Sequence, residues 1–130
     1  MGTLYSGLCE TCGYGKELHL GGGLRSINLE VNAMALPENE REKLLLMAQR
    51  KEIKQFVAEN YAAVCSKCHT LVEKTVIDIT DIVDLQYTFG EDCKVCGNKL
   101  RLYRDIEKDK IKCPKCKGSG ISLTPIGHWD

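Results

Sequence analysis

The sequence predicts a small α+β fold in which one long helix is set between β units, and three observations predict it. Eight cysteines fall into four Cys-x-x-Cys pairs with none left over. Several short stretches alternate apolar and polar residues, which is strand periodicity. Across residues 37–63 the apolar side chains recur near 3.6-residue spacing, as on one face of a helix.

Taken in order, the first pair is Cys9-Glu10-Thr11-Cys12, followed by Gly13 and Gly15. Strands are expected at 17–20 and 25–31. In the second, Ile27, Leu29 and Val31 alternate with Ser26, Asn28 and Glu30. Gly21-Gly22-Gly23 between them reads as a turn, because it lacks the spacing of a phosphate-cradling loop and does not open a helix. Pro37 suits the first position of a helix, and Glu38, Glu40 and Glu42 complement the positive end of its dipole. Leu46, Ile53, Val57, Tyr61 and Val64 would share the buried face. Leu44-Leu45-Leu46-Met47-Ala48 is apolar nearly all round, which asks for cover from two sides or from another molecule. The helix delivers the chain into Cys65-Ser66-Lys67-Cys68, and β-branched strands are expected at 70–79 and 82–88. A turn at 89–92 leads into Cys93-Lys94-Val95-Cys96-Gly97 and the alternation of Leu100, Leu102 and Arg104. A polar turn at 107–109 precedes Ile111 and Cys113-Pro114-Lys115-Cys116, and a last strand is expected at 121–124.

The composition is that of a globular chain: 130 residues, 43% hydrophobic and 28% charged. A net charge of zero conceals an imbalance. Residues 1–92 carry 9 Lys/Arg against 14 Asp/Glu, a net of −5, whereas residues 93–117 carry 9 against 3, a net of +6. The basic end is either a solvated hairpin or a surface for a polar partner. No stretch approaches the ~18 apolar residues of a membrane-spanning helix, so no membrane partner is expected. Met1 to Leu8 has neither a basic nor an apolar targeting region, which points to a cytoplasmic, reducing location. There, paired cysteines bind metal or do redox work rather than form disulfides.

A CxxC turn places two sulfurs on one side of a tight loop, where both reach one ion at Zn–S distances of about 2.3 Å, and two such turns complete a tetrahedron. A glycine after the second cysteine supplies the positive φ such a turn often needs, as at Gly13 and Gly97. Residues 93–116, with CxxCG, 16 intervening residues and CPxC, resemble a zinc ribbon, a class of small modules found in transcription, translation and replication proteins and on many enzymes. The resemblance covers about a fifth of the chain and identifies a fold class, not a particular family. It implies small zinc-ribbon-like β units with the long helix inserted. Two structural zinc ions are therefore expected, held by Cys9, Cys12, Cys65, Cys68, Cys93, Cys96, Cys113 and Cys116. Residues 113–120 also fit the CxxCxGxG repeat of J-domain co-chaperones, but the other three pairs lack its glycines. Rubredoxin-type iron is a competing occupant; the short 16-residue loop and Lys117 argue against it. Thioredoxin-like redox chemistry would want a pair opening a helix, and no pair clearly does so.

Four pairs combine in three ways. Loop-closure entropy favours the local solution: Cys9/Cys12 with Cys65/Cys68, spanning a 52-residue insertion, and Cys93/Cys96 with Cys113/Cys116. A cross-braced arrangement, first with third and second with fourth, is the alternative. The corresponding domains are 1–90, with the inserted helix, and 91–130.

Eight thiolates on two ions leave no open coordination position for catalysis. His19, His69 and His128 read as surface or supporting imidazoles, and no catalytic constellation is visible, so no enzyme is expected. The expected function is a non-enzymatic zinc protein acting as a protein-interaction or adaptor module, or as a homo-oligomer, through its helix and acidic hairpin. The alternative is nucleic-acid binding by the basic 93–117 hairpin, with Lys99, Arg101 and Arg104 contacting phosphates and Tyr103 stacking on bases.

Overall fold

Two hairpins from opposite ends of the sequence pair with each other and enclose everything between them. In the computed structural model, which describes residues 2–22, 28–117 and 120–129, β1 (Gly2–Cys9) and β2 (Gly15–Leu20) form the first hairpin. Two later strands, β7 (Ile111–Lys112) and β8 (Gly120–Trp129), form the last. Antiparallel pairing of β1 with β8, from Gly2 opposite Trp129 to Cys9 opposite Ile121, joins them into a sheet of order β2-β1-β8-β7.

The second sheet is built from the middle of the chain. Its strands are β3 (Ile53–Cys65), β4 (Thr70–Asp81), β5 (Gln86–Phe89) and β6 (Arg101–Tyr103), in the order β5-β4-β3-β6, all antiparallel. Before it come α1 (Leu29–Ala33) and α2 (Glu38–Gln49).

Two apolar layers lie end to end along one face of the second sheet. Leu18, Leu20, Ala62, Leu71, Tyr103, Ile111 and Ile121 form an apolar layer shared by the two sheets. Ala58, Ile77, Ile79 and Phe89 pack under the helices against Ala33, Leu36, Leu44 and Met47. Polar links reinforce the contact between sheets: the backbones of Gly21 and Asn60 exchange two hydrogen bonds of 2.9 Å, and the His19 amide donates to the Glu73 carboxylate at 3.1 Å.

The fold is thus mostly β, and the long helix over 37–63 is overturned. Helix α2 stops at Gln49, Lys51 takes a left-handed φ of 55°, and β3 begins at Ile53. Strand pairing won because β3 is hydrogen-bonded to a neighbour on each side, satisfying its backbone without helical bonds. The expected buried face is broken accordingly: Leu46 is 46% exposed and Val57 41%. The strand expected at 25–31 is also corrected where it can be seen. Residues 25–27 lie outside the described residues, and Leu29 to Val31 belong to α1, where the Asn28 side chain accepts from the Val31 amide at 3.1 Å. Of the strand expected at 82–88, 82–85 is a turn and pairing starts at Gln86.

Candidate metal centres

All four CxxC pairs adopt one local geometry. In each, the amide of the residue after the second cysteine donates to the carbonyl of the first: Gly13 to Cys9 at 2.9 Å, His69 to Cys65 at 2.9 Å, Gly97 to Cys93 at 2.9 Å and Lys117 to Cys113 at 3.0 Å. That residue has positive φ every time, 77°, 54°, 76° and 58° in the same order. Glycine marks two of these turns in the sequence; His69 and Lys117 hide the other two, because an L side chain there costs about 1–2 kcal/mol and is an uncommon choice.

Strand order decides which turns meet. The first turn ends β1 and the fourth enters β8, and β1 pairs with β8, so Cys9, Cys12, Cys113 and Cys116 gather at one end of the first sheet. The second turn joins β3 to β4 and the third leads into β6, which pairs with β3, so Cys65, Cys68, Cys93 and Cys96 gather likewise. Within each quartet every sulfur lies within 4.8 Å of the others. The partnership is therefore nested, first with fourth and second with third. Both the local pairing and the cross-braced one are corrected. Residues 93–116 are not one ribbon, since their two cysteine pairs serve different quartets.

The distances fit a tetrahedral ion. Sulfurs of Cys9 and Cys116 are 3.6 Å apart, Cys12 and Cys113 3.5 Å, Cys65 and Cys96 3.5 Å, and Cys68 and Cys93 3.9 Å. A regular tetrahedron with Zn–S bonds of about 2.3 Å has S···S edges of about 3.8 Å, whereas a disulfide would need about 2.05 Å. All eight cysteines are unbridged.

Electrostatics inside the quartets is divided. The Asn98 backbone amide and side-chain amide pull Cys96 down to about 6, the side chain donating to sulfur at 3.3 Å. Amides of Cys96 and Val95 lower Cys93. By contrast, hydrogen bonds of Cys68 with the Cys96 and Cys65 thiols push its pKa up to about 12. The Tyr14 amide works to lower Cys12, but desolvation and the thiols of Cys113, Cys9 and Cys116 outweigh it and raise Cys12 to about 11. Four sulfurs this close cannot all ionise unaided; a divalent cation between them favours the thiolate form of every one.

The quartets are tied together. The Leu71 amide, three residues past Cys68, donates to the Tyr14 hydroxyl oxygen at 3.2 Å, and Tyr14 follows Cys12 by two. Ala63, Cys65 and Leu100 form an apolar pad under the inner quartet.

Of the basic residues singled out in the sequence, Lys99 and Arg101 share one cleft between the quartets. Arg104 is elsewhere: its guanidinium binds Asp78 at 2.8 and 3.2 Å and lies over the Tyr61 ring. Tyr103 is 2% exposed and belongs to the core, which removes the stacking role expected for it. Lys112 and Lys117, counted in the basic 93–117 stretch but not singled out as phosphate contacts, line the same cleft as Lys99 and Arg101. No local signal joins them, because the apposition of the quartets creates the cleft. No helix among the described residues is long and apolar enough to cross a membrane. No family model matches the chain, and no curated protein or solved structure matches it.

Proposed function

We propose that this chain is a non-enzymatic protein in which two structural zinc ions, one per cysteine quartet, staple two small sheets into a protein-interaction module. The observation that carries the metal reading is the gathering of all eight thiols into two tetrahedron-sized groups with none left over. Thiolate-only sites favour zinc or iron among the common metals. Zinc needs no redox partner and suits sites whose role is folding. Four thiolates fill the coordination of each ion and leave no position for a substrate.

The interaction reading rests on the turn between β4 and β5. Ile82, Val83 and Leu85 are 63%, 67% and 56% exposed, yet the turn is well held. The buried Asp81 carboxylate accepts from the amides of Val83 and Leu85 at 2.9 and 2.8 Å. A rigid turn that presents three adjoining apolar side chains suits a protein partner, a second copy included. Leu45 and Leu46 add lesser exposed surface on α2.

Metal analysis of protein purified without added metal is the test of the first part, with two zinc equivalents expected. One equivalent, or iron in the majority, refutes it. For the second part, light scattering across a range of concentrations should show association that Ile82→Glu with Val83→Glu abolishes while zinc content stays unchanged. Association that survives the double variant refutes the role of the turn.

A further inference from the structure

We propose that the cleft between the two quartets grips single-stranded nucleic acid, its cations on the phosphates and its floor beneath a base. The inference goes beyond the interaction turn and rests on the metal reading only in that the two cysteine turns form the cleft walls.

The cleft has a volume of about 430 Å³, within the range of ligand-sized sites. Cys65, Ser66 and His69 of the second turn stand on one side, with Cys113, Pro114 and Lys117 of the fourth on the other. Lys99, Arg101, Lys112 and Lys117 all line it and are all solvent-exposed, and no carboxylate is among its lining residues. Among the described residues Arg101, Lys112 and Lys117 take part in no ion pair, while Lys99 reaches the rim carboxylate of Glu91 at 3.3 Å. In a chain of zero net charge this is a local concentration of four cations.

The floor selects among anions. Val64 and Pro114 supply apolar surface, and the Arg101 guanidinium lies 5.0 Å over the Tyr103 ring. The arginine guanidinium is itself a plane on which a base can stack, as in single-strand binders. An acidic peptide offers carboxylates but no base to stack. Each zinc–thiolate centre would carry −2, which weakens the long-range field and leaves contact hydrogen bonds and ion pairs to hold the ligand. Affinity should therefore depend on salt with a slope of about −3, as four phosphate contacts on a single strand require.

The test is fluorescence anisotropy of a short labelled oligothymidylate with the full chain, with zinc content measured on the same samples. Binding should weaken about 50-fold between about 50 and 200 mM salt. Arg101→Glu with Lys112→Glu should weaken it at least tenfold, whereas Lys43→Glu, a single reversal on α2, should leave it unchanged. Three outcomes overturn the proposal: no binding at the lower salt, equal loss with Lys43→Glu, or competition by polyglutamate as effective as by unlabelled oligonucleotide, which would assign the cleft to acidic peptides. Protein that carries two zinc ions but fails to bind refutes the cleft alone. Protein short of zinc refutes the metal reading, and its titration with the same variants still decides the cleft.

Discussion

The sulfurs of Cys9 and Cys116, 107 positions apart in the chain, lie 3.6 Å from each other. What brings them together is the β1–β8 ladder, which carries Cys9 to a position opposite Ile121. The nested partnership predicts how metal is lost. Cys9→Ser with Cys116→Ser should leave one zinc ion per chain, whereas Cys9→Ser with Cys65→Ser should leave none. Native mass spectrometry reads both, and the opposite pattern would restore the local pairing.

The shared turn geometry makes a second prediction. His69 has a φ of 54° where Gly13 and Gly97 occupy the equivalent place. His69→Gly should stabilise the zinc-loaded protein by about 1 kcal/mol, and Gly97→Ala should destabilise it by a similar amount. Chemical denaturation at fixed free zinc measures both. Equal, negligible effects would mean that the left-handed conformation is not what these turns require.

Lys74 is 5% exposed, and its ammonium nitrogen has no hydrogen-bond partner among the described residues. Burial, followed by repulsion from Lys94, lowers its pKa from the ordinary 10.5. A lysine whose folded pKa is lowered costs stability while protonated, and the cost fades as pH rises through that lowered value towards 10.5. Lys74→Met should therefore stabilise the protein by about 1–3 kcal/mol near neutrality, with the gain shrinking at alkaline pH. A gain independent of pH would point to packing alone.

Gly90 has a φ of 95°, its amide donates to the Glu40 carboxylate of α2 at 2.8 Å, and a Cβ there would collide with the Thr75 carbonyl oxygen. Gly90→Ala should cost about 3 kcal/mol and lower Tm by roughly 10 °C. A thermal shift within a degree or two of wild type would show that the segment before Cys93 relaxes freely.

The eight thiols were legible because CxxC is a local signal; the partners of each turn were not, because strand order is a property of the whole chain. The entropic preference for the local partner was also weak. Closing Cys12 to Cys113, 101 positions apart, rather than Cys96 to Cys113 costs only about 1.6 kcal/mol more, and a ladder the length of β1–β8 overrides that. The helix misread has a similar cause. Lys51 holds the left-handed position where a glycine would have announced the end of α2. Beyond it, Ala58, Ala62 and Ala63 read as helix formers. In β3 they are buried, small enough for the shared core, the helices and the inner pad to close onto the strand.

Nesting also imposes a timetable on synthesis. As the chain leaves the ribosome, the thiols from Cys65 to Cys96 emerge as a complete set while Cys9 and Cys12 still wait for partners. The inner quartet can assemble first; the outer quartet closes only after Cys116 has followed. Between those moments Cys9, Cys12 and the β8-facing edge of β1 precede the C-terminal hairpin that completes them. In that interval, oxidation of Cys9 and Cys12 or capture of the bare edge by another chain competes with completion of the fold.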